Sequence, residues 1–288
     1  MDVVYAIQTI ATPWLDSLMT LVTDLGSEEA YIAMVIVAYL GVDARIGQRL
    51  GVLLVASFFI NQYAKGWFDT PRPFALDPDV VRTQRALDGA GGAGFPSGHA
   101  QSSSTFWLYA AVLARRPLFW PLALFLVLLV SFSRLYLGVH VPVDIVGGLV
   151  LGVTLVLVAV VIERSGFRLP TWLLVLAALA VPLTLHLLAP TPESDLLAGA
   201  FGALVLGPTL LRHRTDGPVW GRVFVALIGV ILAFTVLFAS SLYLPEAVKR
   251  DPLGGYVRYL ALGLAGFLVA PWIGRVLGLV PGPGPRRR

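Results

Sequence analysis

Between Ser133 and Asp144 the chain reads SRLYLGVHVPVD, setting an arginine, a histidine and a carboxylate at the edge of a very apolar stretch. His140 and Asp144 are four apart, so a helix running from Val141 onward brings them one turn apart on one face. A carboxylate so placed can fix the imidazole tautomer and stabilise its cation. Arg134 lies just upstream, across a short turn containing Gly138. Taken alone the group also reads as a salt-bridged helix end, since structural ion pairs gather at such places. Other polar residues decide between the two: Lys65, Arg72 followed by Pro73, and the run Pro96-Ser97-Gly98-His99. Two arginines and a lysine suit a multiply charged oxyanion, arginine being able to grip phosphate oxygens in bidentate fashion. Ser97 and Gly98 precede an expected helix, where a hydroxyl and free backbone N–H groups favour an anion. His140, backed by Asp144, could attack phosphorus, and His99 could protonate the leaving oxygen. Three fixed cations stabilise charge on the equatorial oxygens without a metal, and the chain offers no carboxylate cluster for magnesium. The expectation is therefore no metal and no cofactor.

These residues must be positioned by membrane helices. Of 288 residues, 57% are hydrophobic and only 13% charged, and the mean hydropathy is +0.80, far from a soluble composition. The chain contains no cysteine, which excludes disulfides and thiolate metal sites. The formal net charge is +4; the arginines stand at the ends of apolar runs rather than in a stripe, so no nucleic-acid partner is expected. The N-terminus lacks a basic n-region and a small-residue cleavage site, so its first segment is expected to be retained. Apolar runs predict helices over Val3–Val22 (imperfect, partly interfacial), Ala30–Val42, Leu50–Gly66, His99–Leu113, Leu118–Tyr136 and Val143–Ile162. Four more are expected over Leu173–Leu188, Leu196–Leu211, Val223–Leu242 and Tyr256–Leu279. Several match the length of a hydrocarbon core. The fold class is thus an all-α polytopic membrane helix bundle.

If the helices alternate across the membrane, Arg45, Arg49, Arg115, Arg116, Arg164, Arg168, Arg212, Arg214, Arg222 and the tail Arg286–Arg288 share one side. By the positive-inside rule that side, with the C-terminus, is cytoplasmic. Lys65, Arg72, His99, Arg134 and His140 then fall together on the opposite face, a coincidence that alternation alone produces. Ionisable residues at membrane depth are functional by default.

KGWFDTPRP, PSGH and SRLYLGVHVPVD also stand in the order and spacing of three signature motifs, and on them the chain resembles the type 2 phosphatidic acid phosphatase (PAP2) family, the lipid phosphate phosphatase and vanadium haloperoxidase superfamily. The resemblance covers Lys65 to Asp144 directly. It implies His140 as the nucleophile forming a phosphohistidine, Asp144 as its orienting partner and His99 as general acid, with Lys65, Arg72, Ser97, Gly98 and Arg134 binding the phosphoryl group. It implies a six-helix catalytic core over residues 1–164 and leaves a transmembrane extension of about four helices over 165–288 to which it assigns no role. The expected partner is a membrane lipid phosphate or pyrophosphate, cleaved on the outer face of a bacterial cytoplasmic membrane; a homo-oligomer stays open. Two alternatives remain: a phosphotransferase or head-group synthase using the same phosphohistidine, and a lipid-translocating or partner-binding role for the last four helices. A haloperoxidase is disfavoured, that branch being soluble. Among residues given no role in the site, Asp69, Asp77, Asp79 and Asp88 read as solvated loop acids, Trp67 as an interfacial aromatic, His186 as a packed histidine, and Glu193 and Asp195 as first-turn acids. The glycine-rich run from Gly89 to Gly94 reads equally as a lid or a linker.

Overall fold

The computed structural model describes residues 1–167, 170, 172–177, 180, 184 and 192–281. His186, the side chains of Glu193 and Asp195, and most of the expected Leu173–Leu188 helix lie outside the described residues. Every regular element among the described residues is helical. Two compact units can be distinguished, Met1–Tyr31 with Ala56–Gly166, and Ile32–Val55 with Phe167–Arg288.

In the first unit the expected opening helix is broken. It forms α1 (Asp2–Gln8) and α2 (Pro13–Asp24). The reason is Pro13, which takes the first helical position, where its missing N–H costs nothing, while Thr12 before it is extended. The next helix, α3 (Glu28–Val37), begins in this unit after a bend at Leu25–Ser27 and continues into the second. α4 (Ala44–Phe68) enters the first unit at Ala56, and α5 (Gly98–Ala114), α6 (Phe119–Tyr136) and α7 (Pro142–Arg164) lie within it. α6 and α7 are long and apolar enough to cross a membrane. α4 and α5 are less apolar because they bury polar groups against each other. Ser57, Asn61 and Lys65 recur at helical spacing on one face of α4. Asn61 Nδ2 donates to Gln101 Oε1 at 2.9 Å, Gln101 Nε2 donates to Ser57 O at 2.8 Å, and the Ser57 and Thr105 hydroxyls lie 3.1 Å apart. In an apolar surrounding such groups must satisfy one another.

The long segment between α4 and α5 is ordered by its own turns, Pro73–Leu76, Pro78–Val80 and Gln84–Asp88. Arg82 grips Asp16 of α2 with two bonds of 3.1 and 2.9 Å, and Gln8 Nε2 donates to Val80 O at 2.8 Å. Beneath the segment lies an apolar cluster containing Met19, Val22, Ala86, Val130, Tyr136 and Leu137. Trp67 is 86% exposed, and Asp69, Asp79 and Asp88 are exposed as well.

The second unit contains α8 (Pro192–Leu210), α9 (Val219–Tyr243), a short helix Glu246–Arg250, and α10 (Pro252–Leu264), which runs through a π-helical turn Ala265–Val269 into α11 (Ala270–Val276). Val219–Tyr243 and Leu253–Val276 are of membrane-crossing length and apolarity. A second π-helical turn, Ala38–Val42, leaves carbonyls that receive side-chain donors: His213 Nε2 reaches Leu40 O at 3.0 Å and Arg222 Nη1 reaches Gly41 O at 3.2 Å.

Candidate active site

All eight residues singled out by type and spacing lie in the first unit. Lys65 stands near the C-terminal end of α4, Arg72 just before the Pro73 turn, Ser97 and Gly98 at the entry to α5 with His99 in its first turn, Arg134 in the last turn of α6, His140 in the α6–α7 link and Asp144 in the first turn of α7. The link is tight. Gly138 adopts φ +75° and lies against the Val80 carbonyl, where a Cβ would collide.

His140 is 1% exposed and Asp144 2%. The His140 Nδ1 to Asp144 Oδ2 distance is 3.1 Å, and the same oxygen accepts from the Val141 N–H at 3.1 Å. On the other edge of the ring, Arg72 Nη1 is 3.2 Å from His140 Nε2. A guanidinium has only donors. The contact therefore makes Nε2 the acceptor and assigns the proton to Nδ1, where Asp144 receives it. This tautomer presents a lone pair at Nε2, facing the cation. Burial is the main influence that pushes the His140 imidazole well below the ordinary histidine range, followed by the charges of Arg134, Arg72, Lys65 and His99. Burial also lowers Arg72 to about 10, with Asp144 opposing the shift, which leaves it protonated at neutral pH.

Among the described residues the three cations are not paired with carboxylates. Arg72 Nε donates to Gly92 O at 2.9 Å, Nη2 to Gly91 O at 2.5 Å and Nη1 to Val139 O at 3.2 Å, while Lys65 Nζ donates to Ala93 O at 2.6 Å. Arg134, 1% exposed, donates through Nη1 to Thr23 Oγ1 at 2.8 Å. Ser97 occupies the N-cap position of α5, yet its hydroxyl makes no capping bond; it is buried and without a partner among the described residues. Its backbone N–H donates to Asp144 O at 3.0 Å, tying the start of α5 to α7. His99 is half-buried at the site's edge, with Cδ2 beside Gly26. Among the described residues no group of three or more His, Cys, Asp or Glu side chains converges in a way that could hold a metal ion.

Residues 47–168 match the model of the PAP2 superfamily, and residues 196–282 match that of the PAP2 superfamily phosphatase transmembrane extension. The undecaprenyl-diphosphatase of Sulfolobus acidocaldarius is 31% identical over 157 residues, covering 53% of this chain and 72% of that protein. The chain belongs to the PAP2 superfamily. Sphingosine-1-phosphate phosphatase 2 of Mus musculus is 33% identical over 141 residues, 47% of this chain; the chain spans only 38% of that relative's length. A transmembrane PAP2-type phosphatidylglycerolphosphate phosphatase from Bacillus subtilis, known from a crystal structure, superposes with a TM-score of 0.50 at 23% identity, covering 59% of this chain and 86% of that one. That likeness extends to the fold. With a matched transmembrane extension and apolar helices of membrane-crossing length, the chain is an integral membrane protein.

Six residues that support this candidate site are not among those expected from its motifs. Asn61 and Gln101 brace the start of α5, Asn61 Nδ2 also approaching Pro96 O at 3.4 Å; the spacing Ser57, Asn61, Lys65 on an otherwise apolar helix was the signal for them. The carbonyls of Gly91, Gly92 and Ala93 leave no trace in side-chain chemistry. Thr23, at the end of α2, belongs to no motif.

Proposed function

We propose that this PAP2 protein is a phosphatase of lipid phosphates or pyrophosphates acting through a phosphohistidine on His140. The observation that carries the reading is the buried line Asp144–His140–Arg72, in which a carboxylate fixes the imidazole proton and a guanidinium meets the lone pair. In the first half-reaction the Nε2 lone pair attacks phosphorus, the P–O bond to the lipid breaks and His99 gives its proton to the leaving oxygen. In the second, His99 takes a proton from water, the water oxygen bonds phosphorus and the P–N bond breaks, releasing inorganic phosphate. Lys65, Arg72 and Arg134 stabilise the equatorial oxygens, Arg72 and Lys65 exchanging neutral carbonyls for phosphate. The unpartnered Ser97 hydroxyl and the Gly98 N–H complete the cradle.

Residues 1–164 form the catalytic core in this reading and 165–288 the extension. The site faces outward from a cytoplasmic membrane, as the distribution of arginines supports. The substrate class is an amphiphile whose chains remain in lipid while the phosphate enters the basic cluster. The relatives' names supply undecaprenyl diphosphate, sphingosine-1-phosphate and phosphatidylglycerophosphate as the panel to assay, with phosphatidic acid added. Purified protein should release inorganic phosphate from at least one of these in EDTA, and His140→Ala should abolish release. Release that survives His140→Ala would remove the mechanism, and phosphate appearing only on an alcohol acceptor would make the protein a transferase. Because the chain lacks cysteine, a single cysteine at Asp69 labelled by a membrane-impermeant maleimide on intact cells tests the orientation.

A further inference from the structure

The bend between α2 and α3 lies upstream of residues 47–168, the stretch that matches the family, yet it touches two polar residues of the site. Gly26 packs so closely on α5 and α6 that a Cβ there would stand 2.7 Å from Val130 Cγ1 and 3.0 Å from His99 Cδ2. One turn back, the Thr23 hydroxyl, on a side chain 4% exposed, accepts from Arg134 Nη1 at 2.8 Å. Val130 and Arg134 are themselves one turn apart on α6, so the bend and α6 meet at two successive positions. The bond from Gly26 N to Thr23 O, 2.9 Å, closes the turn that sets this spacing.

We propose that Thr23 is a positioning residue that holds the Arg134 guanidinium toward the phosphoryl group. Arg134 is a long, rotamer-rich side chain with almost no exposure, and its Nε has no partner among the described residues. A buried guanidinium needs at least one acceptor to fix its plane. A carboxylate would fix it too, but would cancel the charge that a phosphate must meet. The neutral hydroxyl of Thr23 orients one donor and leaves the charge and the remaining donors uncommitted. The neighbouring carboxylate, Asp24, is engaged instead with Arg85 at 2.9 Å on the exposed side.

This inference rests on the reading of Arg134 as a phosphate ligand, and the test separates the two. Full-length protein is prepared as parent, Thr23→Val, Thr23→Ala, Thr23→Ser and Arg134→Gln, and orthovanadate inhibition of phosphate release, kcat, KM and Tm are measured for each. Thr23→Val preserves shape and deletes the acceptor, so vanadate affinity should fall about tenfold, the loss of one hydrogen bond to a charged group. Thr23→Ala should fall likewise, and Thr23→Ser should return to within about threefold of the parent, since the hydroxyl is what matters. A change confined to Tm, or equal vanadate affinity in Thr23→Val, Thr23→Ala and the parent, overturns the positioning role while Arg134→Gln still loses inhibition. If Arg134→Gln itself binds vanadate as the parent does, the phosphate reading of Arg134 fails and the inference with it. Should one of the valine and alanine variants not fold, the other compared with Thr23→Ser decides the question.

Discussion

Replacing Asp144 by Asn keeps the shape of the side chain and removes its charge, which makes it the most direct probe of the Asp144–His140 pair. In the parent, Asp144 Oδ2 accepts from both His140 Nδ1–H and the Val141 N–H at 3.1 Å, in a place where neither residue is more than 2% exposed. Water cannot take over the lost role. The amide oxygen still accepts a hydrogen bond, so ground-state binding of substrate should change little. As Nε2 bonds to phosphorus, however, the ring becomes positively charged, and the carboxylate is the group placed to meet that charge. The difference between a charge-assisted and a neutral bond here is worth about 1.5 kcal/mol, and at about 1.4 kcal/mol per decade this is roughly one order of magnitude in rate. The loss should appear in kcat and kcat/KM together, because the interaction strengthens only as the bond forms. The assay is steady-state phosphate release from a lipid phosphate in detergent micelles, with Tm measured alongside. A kcat within about threefold of the parent in a normally melting protein, or a change in KM alone, would refute the reasoning.

Three further outcomes follow from the same geometry. His99→Gln should slow release strongly from an alkyl phosphate and far less from p-nitrophenyl phosphate, whose leaving oxygen needs no proton; equal losses on both substrates would exclude His99 as the acid. Asn61→Leu strands the Gln101 Oε1 acceptor inside the bundle and should lower stability by about 1–3 kcal/mol, read as a reduced Tm, with an unchanged Tm counting against the bracing role. The protein holds His140 neutral where an unfolded chain would protonate it near pH 6.5. Below that value the unfolded state binds the additional proton, so this penalty is absent at higher pH and grows as pH falls through about 6.5. The parent should lose Tm between pH 7.5 and 5 more steeply than His140→Gln, and equal slopes would contradict the burial argument.

How far these features could be read in advance depended on where their information resides. Lys65, Arg72, His99, Arg134, His140 and Asp144 carry unusual chemistry in an apolar chain, so type and spacing single them out, and alternation of the helices predicts one face for them. α6 and α7 were legible because uninterrupted apolarity of the right length has one physical outcome. The opening helix shows the limit of overall apolarity as a guide: Pro13 divides it into α1 and α2, and Thr23 reaches Arg134 from the opposite end of α2. Thr23 itself looks like an ordinary helical threonine, and its role exists only through a partner 111 positions away. The Asn61–Gln101 pair is intermediate, since the polar spacing on α4 was visible but its partner on α5 was not.

The backbone carbonyls that hold Arg72 and Lys65 explain why a cluster of cations can be buried without being neutralised. A buried guanidinium or ammonium with no acceptor would cost several kcal/mol, and a carboxylate partner would lower that cost but compete directly with the substrate's phosphate. Gly91, Gly92 and Ala93 offer an intermediate solution: three successive carbonyls satisfy the donors of Arg72 and Lys65 with dipoles instead of charge. Bonds from a cation to phosphate oxygens are roughly twice as strong as neutral ones, so under the proposed function an arriving dianion would displace the carbonyls, whereas water or a neutral head group would gain much less. The segment has almost no side chains to pack, so its withdrawal would sacrifice little apolar contact. Under the proposed function the three consecutive carbonyls directed at the two cations stand where phosphate oxygens would bind, an arrangement that a lid would use and a plain linker would not need.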